Sequence, residues 1–219
     1  IDIKEDPQGN VWFATQGDGL WRLDKNNVWK QYKHVENDST SLVSDQVNCL
    51  AIGEKGQLYA ATSEGLCEFL PSKGIFRRIS IDAPSQDFTS LVISQGVMWI
   101  STSKGIVKYT LGEPVQLFNK YDGLTCNQFM PNAGLLASDG RIYFGSTRGF
   151  NCFYPYLVKI NQVAPPVAIT SVELFGQPIE AGSDQLEKSL SHAAELNLSH
   201  NENTINISFA ALSYVSPEK

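Results

Sequence analysis

The 219-residue chain is 42% hydrophobic and only 18% charged, which permits a packed core, excludes wholesale disorder and is low for a helical protein. A net charge of −6 and a pI near 5.1 exclude the basic face that phosphate contacts require, so nucleic acid is not an expected partner. No apolar stretch approaches the roughly 18 residues that span a bilayer, and no signal peptide opens the chain. With no initiator methionine and a strand-like opening at Ile1-Asp2-Ile3, the sequence reads as an excerpt of a longer protein.

From the N-terminus onward, one pattern recurs. It is Gly9-Asn-Val-Trp-Phe-Ala-Thr15 with Gly19-Leu20, then Gly56-Gln-Leu-Tyr-Ala-Ala-Thr62 with Gly65-Leu66, then Gly96-Val-Met-Trp-Ile-Ser-Thr102 with Gly105-Ile106. A fourth copy is Gly140-Arg-Ile-Tyr-Phe-Gly-Ser-Thr147 with Gly149-Phe150. The leading glycines lie 40 to 47 residues apart, the period of β-propeller blades.

Each copy reads as a four-stranded antiparallel meander. An apolar strand (Val47 to Ile52, Phe88 to Ile93) leads through a Gly turn to an aromatic-rich one (Val11 to Thr15, Leu58 to Thr62, Met98 to Thr102, Ile142 to Thr147). A tight turn ending in glycine leads to the third strand (Leu20 to Leu23, Leu66 to Phe69, Ile106 to Tyr109, Phe150 to Phe153). A more polar fourth strand closes the blade (Val28 to Lys33, Ile75 to Ile81, Val115 to Tyr121), and the last copy lacks a convincing one. Trp12, Tyr59, Trp99 and Tyr143 recur at one position. Inter-blade packing explains them better than sugar stacking does.

Beyond Phe153 the pattern changes. Pro165-Pro166 marks a linker, Val167 to Phe175 alternates as a strand, and Asp184 to Ala194 is weakly helical. Glu195 to Ser199 and Thr204 to Phe209 read as two further strands around Asn201-Glu-Asn203, the first part of an antiparallel sandwich. The expected organisation is all-β, with propeller blades over 1–160 and an incomplete Ig-like β-sandwich over 161–219.

The four copies resemble the regulator-propeller repeats of two-component sensors. The resemblance rests on Gly-x-hydrophobic-Trp/Tyr-x-x-Thr-x-x-Gly-Leu, on Leu42-Val-Ser-Asp-Gln-Val47 and on Asp122-Gly-Leu-Thr-Cys-Asn-Gln-Phe129. Phe175-Gly-Gln-Pro178, Asn203-Thr-Ile-Asn-Ile-Ser-Phe209 and Ala211 to Lys219 resemble the start of the Ig-like Y_Y_Y domain that follows such propellers. This resemblance implies the periplasmic sensor region of a hybrid two-component histidine kinase that binds glycan fragments and signals as a homodimer. Kinase, membrane and DNA-binding segments would lie beyond Lys219. Family propellers have more blades than this chain, so a complete ligand site is not assured.

No motif carries catalysis. GxSxG, P-loop and HExxH patterns are absent, and no cofactor or metal is implied. Cys49, Cys67, Cys126 and Cys152 match no CxxC spacing and read as buried free thiols, with a disulfide as the alternative. His34, His192 and His200 read as exposed loop residues, and Glu5-Asp6 as a solvated acidic pair. Meander topology places Asp18, Asp45, Gln46, Glu64, Lys104, Asn127, Gln128 and Arg148 on one blade end. Their charges and amides suit an oligosaccharide, against the plainer reading of solvated loops. A protein-interaction scaffold is the alternative function. A propeller lyase or glycosidase is less favoured, because it needs two carboxylates facing across a cleft.

Overall fold

A computed structural model describes residues 2–158, 167–183, 186, 189–190 and 195–211. Two compact units divide the chain, Ile1–Lys159 and Ile160–Lys219. The described residues form strands, turns and two short 3-10 segments, with no α-helix.

The first unit is a row of antiparallel meanders. The first blade is β1 (Ile3–Glu5), β2 (Val11–Ala14), β3 (Leu20–Leu23) and β4 (Trp29–Tyr32). The second is β5 (Val47–Ile52), β6 (Leu58–Thr62), β7 (Gly65–Leu70) and β8 (Ile75–Ile79). The third is β9 (Phe88–Ser94), β10 (Val97–Thr102), β11 (Gly105–Tyr109) and β12 (Gln116–Phe118). The fourth has three strands among the described residues, β13 (Phe129–Leu136), β14 (Ile142–Ser146) and β15 (Gly149–Phe153). The propeller-blade reading is borne out.

The turn between the second and third strand of each blade has one chemical design. The Thr62 hydroxyl donates to the Gly65 carbonyl at 2.9 Å and accepts from the Glu64 N–H at 3.1 Å. Thr15 bonds Gly19 and Asp18 in the same way, and Thr102 bonds Gly105 and Lys104. In the fourth blade the role falls to Ser146, which bonds Gly149 and Arg148. The sequence pattern by itself aligns Thr147 there. Ser146 stands six residues after Gly140, as Thr62 does after Gly56, so the register belongs to Ser146.

Apolar layers lie between successive blades. The first joins Trp12, Leu20 and Tyr32 to Leu50, Leu58, Phe69 and Phe76. The second joins Ala61 and Leu66 to Phe88, Leu91, Ile100 and Val107. The third joins Val92, Trp99 and Ile106 to Phe129, Ile142 and Phe144. Each Leu, Ile, Val or Phe among them, fully buried, contributes roughly 1.5–3 kcal/mol. Polar ties cross the same gaps between first strands. The Asp2 carboxylate accepts the Leu50 N–H at 2.9 Å, Asn48 donates to the Phe88 carbonyl at 3.0 Å, and Ser90 accepts the Ala133 N–H at 2.7 Å. The outward faces of the end blades stay open. Trp29 is 54% exposed on the first and Phe150 is 64% exposed on the fourth. Among the described residues no apolar layer joins the fourth blade to the first.

Several expectations need correction. The strand expected from Val115 to Tyr121 spans only Gln116–Phe118. Asn119 and Asp122 form a capping box that turns the chain into a 3-10 segment, Lys120–Asp122. Only Cys49 and Cys67 are buried; Cys126 is half-buried, Cys152 is exposed, and all four are free thiols. Burial, with the Asp2 charge, pushes the Cys49 thiol up to about 12. Asp6 is not solvated but buried, because it accepts the Trp12 indole N–H at 2.8 Å.

The second unit contains a three-stranded antiparallel sheet ordered β17-β16-β18, with β16 (Val167–Leu174), β17 (Gln177–Pro178) and β18 (Ile205–Ala211). Glu195 to Ser199 is irregular, not a strand, and the chain turns where the Glu202 N–H donates to the Ser199 carbonyl at 2.9 Å. The Pro165-Pro166 linker, most of the Asp184 to Ala194 stretch with His192, and the segment from residue 212 onward lie outside the described residues.

Candidate functional site

Two places in the first unit bring polar side chains together. The first is the blade end read from sequence. There the peptide leading into each inner strand lies beside the turns just described. The Asp45 carbonyl accepts the N–H groups of Gly17 and Gly19 at 3.1 and 2.9 Å, bringing Asp45 beside Asp18. The Gln46 carbonyl accepts the Ser63 N–H at 3.1 Å, and the Ser44 hydroxyl meets Glu64 at 3.4 Å, so Gln46 and Glu64 are neighbours. The Gln128 carbonyl accepts the Thr147 N–H at 3.4 Å beside Arg148. Lys104 sits next to Ser103, whose hydroxyl bonds Ser85 at 2.9 Å.

Much of this end is already occupied by the fold. Asp18 pairs with Lys33 at 3.0 Å, the Asp45 carboxylate accepts the His34 N–H at 2.7 Å, and Asn127 accepts the Lys120 N–H at 2.8 Å. Gln46, Glu64, Lys104, Gln128 and Arg148 keep exposed side chains. Cys126 lies in the same loop. Its burial pushes the thiol up, but hydrogen bonds with Ser146, Gln128, Thr147 and Arg148 prevail and lower it. Among the described residues no cluster of three or more His, Cys, Asp or Glu side chains could hold a metal.

The second place is a cleft of about 330 Å³ between the second and third blades, which the sequence reading missed. Tyr59, Glu68, Arg77, Met98, Tyr109 and Leu111 line it. Tyr59 on β6, Glu68 on β7 and Arg77 on β8 are successive cross-strand partners. Glu68 is buried and accepts from the Arg77 Nε at 3.0 Å and from its Nη2. Hydrogen bonding and attraction to Glu68 hold the Arg77 guanidinium further up. Burial and then the Glu68 charge push the Tyr59 hydroxyl up, so it stays a donor.

The origin of the cleft is visible in the repeat. At the Tyr59–Glu68 pair the first blade has Trp12–Arg22 and the third has Trp99–Lys108, with each cation over its indole ring at 5.8 and 5.9 Å. Those tryptophans fill their gaps. Trp12 meets Tyr32 and Phe69 at ring distances of 5.6 and 4.7 Å, and Trp99 meets Phe118 and Phe153 at 6.0 and 4.9 Å. Tyr59 is smaller, and the acid beside it binds Arg77 instead of crossing the ring. The recurring aromatic therefore packs between blades at Trp12, Tyr59 and Trp99, whereas Tyr143 lies on the open face of the fourth blade beside Phe150. The signal available from sequence was this break in the repeat.

No protein-family model matches the chain. It is 27% identical over 221 residues to "Histidine kinase P4" of Formosa agariphila, covering 96% of this chain but 16% of that protein. Among solved structures it resembles the extracellular domain of a hybrid two-component system from B. thetaiotaomicron, with a TM-score of 0.69, 23% identity, and coverage of 95% of this chain and 28% of that one. Virginiamycin B lyase from Staphylococcus aureus is similar at a TM-score of 0.51 and 18% identity, covering 78% of this chain and 59% of that one. These structural likenesses establish the propeller-type fold. The chain spans about a sixth of the kinase and about a quarter of the extracellular domain. No helix among the described residues is long and apolar enough to cross a membrane.

Proposed function

We propose that this chain is part of the extracytoplasmic, periplasmic sensor region of a hybrid two-component histidine kinase. On this reading it binds a carbohydrate fragment and passes the signal on as a homodimer, with no catalysis of its own. The observation that carries the reading is the likeness over 95% of the chain to one such extracellular domain. The matching likeness to a histidine kinase over 96% of the chain points the same way. The second unit is then the start of the Ig-like Y_Y_Y domain. Two of the three end-face acids speak against a hydrolase, since Asp18 is paired with Lys33 and Asp45 with a backbone N–H, which leaves Glu64 without a second free carboxylate across from it.

The test is thermal melting of the purified chain, beside a longer form with flanking sequence, against a panel of defined oligosaccharides. A ligand at about 100 times its Kd adds about 2.7 kcal/mol of stability and a clear rise in Tm. If no oligosaccharide moves the Tm of either form, the sensing idea fails. The open apolar faces at Trp29 and Phe150 favour one second reading, an interaction scaffold. That reading requires association with a protein partner that needs no small molecule.

A further inference from the structure

We infer that the cleft between the second and third blades is a binding site for a neutral, hydroxylated ring compound of monosaccharide size. The inference draws its biological sense from the sensor reading, but places the ligand away from the blade end.

The fold does not need this cleft. In the first blade Trp12–Arg22 seals the corresponding gap, and in the third Trp99–Lys108 does so. Between the second and third blades the same backbone register instead holds Tyr59 and a buried carboxylate. Glu68 is buried but its partner Arg77 is exposed, and an ion pair that open to water adds little stability in place of apolar packing. Glu68 and Arg77 thus occupy a place where packing alone would favour the neighbours' solution.

The chemistry of the walls selects the ligand. Glu68 offers acceptor capacity beside the donor-rich Arg77, fixed to each other by two hydrogen bonds. Such an adjacent acceptor and donor matches neighbouring hydroxyl groups on one ring. The two charges cancel locally, so neither a cation nor an anion gains much by entering. Tyr59 and Tyr109 add ring faces and hydroxyls, while Met98 and Leu111 supply apolar wall. A saturated ring with one C–H face and polar edges satisfies both kinds of surface. The volume of about 330 Å³ falls at the small end of ligand pockets. The rim is anchored across the gap, because the Gly96 N–H donates to Glu54 at 3.1 Å.

The test uses the full chain and free pyranoses (glucose, galactose, mannose and xylose) at millimolar concentration, with the open-chain polyol sorbitol as control. Binding is followed by NMR through the Met98 methyl and tyrosine ring signals. At least one pyranose is expected to shift these signals and sorbitol is not. Glu68→Gln keeps the shape but removes the charge-assisted acceptor, and is expected to weaken binding about tenfold. Tyr59→Trp installs the side chain of the neighbouring blades, and is expected to abolish binding while leaving Tm unchanged or higher. Should Tyr59→Trp fold poorly, Glu68→Gln still decides the matter. If no pyranose shifts the cleft signals, or if binding survives both variants, the cleft assignment is overturned. Sugar binding that survives both, with no shift at Met98, would leave the sensor reading intact and move its site to the blade end.

Discussion

The gap between the first and second blades and the gap between the second and third share one backbone plan but differ in what fills them. In the first, Trp12 is fully buried among Tyr32, Phe69 and Phe76, and its N–H is held by Asp6. In the second, Tyr59 stands at the same register beside a cleft whose polar wall is the buried Glu68 and the exposed Arg77. The repeat thus determines strand pairing and turns, while one cross-strand pair per blade decides whether the space between sheets is closed. Variation at that pair leaves the blade itself intact, because the turn bonds of Thr15, Thr62 and Thr102 are the same throughout.

The largest expected effect tests this contrast directly. Trp12→Ala removes a fully buried indole and should cost about 3–5 kcal/mol in chemical denaturation. Tyr59→Ala borders space that is already empty and should cost about 1–3 kcal/mol. Equal losses would mean that the cleft is closed in solution. Next in size is a contrast between a complete blade and the three-stranded one. In the third blade a Cβ at Gly105 would overlap the Phe118 carbonyl of β12, and φ there is +132°. Gly149 has φ +114° but nothing within 4 Å of a Cβ. Gly105→Ala should therefore cost about 2–4 kcal/mol, and Gly149→Ala only the backbone strain of about 1 kcal/mol. Similar values would show that a fourth strand does not set the demand for glycine.

A third comparison uses the two tryptophans. The Trp12 indole N–H reaches Asp6, whereas the Trp99 N–H is buried without a partner among the described residues, and Ile93 stands where Asp6 does relative to the leading glycine. Replacing each by Phe removes similar volume but a bond to a charged group only at Trp12. Trp12→Phe should be the costlier by about 1–3 kcal/mol. If Trp99→Phe is as costly, the indole bond is not what distinguishes the two layers.

The strands and turns were legible in the sequence because they follow local rules. The bounds of β5 and β6 agree with the apolar runs Val47–Ile52 and Leu58–Thr62, and the Thr-x-x-Gly turns follow from hydroxyl and glycine chemistry at fixed spacing. The early end of the third blade was not legible by apolar pattern, since Asn119 and Asp122 stop the strand through side-chain bonds to the backbone. Asp6 looked like one of two surface acids, and only the folded return of β2 brings Trp12 to it. The cleft was hidden for a related reason. Tyr59, Glu68 and Arg77 are adjacent across strands, but Met98, Tyr109 and Leu111 arrive from another blade, and volume between sheets has no sequence period. Comparing repeats pair by pair, rather than aligning only what they share, is the reading that could have found it.

The smallest expected effect concerns the charge that anchors the filled gap. Burial pushes the Asp6 carboxyl up, but hydrogen bonds from Trp12, Asn10 and the Gln8 N–H together prevail and hold it below its ordinary value of 3.8. The native state therefore binds this proton less readily than the unfolded chain does. The stability contributed by ionised Asp6 is fully present above pH 3.8 and is lost as pH falls through the lower native value. Asp6→Asn keeps an oxygen for Trp12 and removes the charge, so it deletes this dependence. The stability gap between the original chain and Asp6→Asn should be constant from pH 7 to about pH 5 and should narrow below 3.8, read from urea midpoints at matched ionic strength. A gap that persists unchanged into the acid range would mean that geometry at Asp6, and not its charge, holds Trp12 in the first layer.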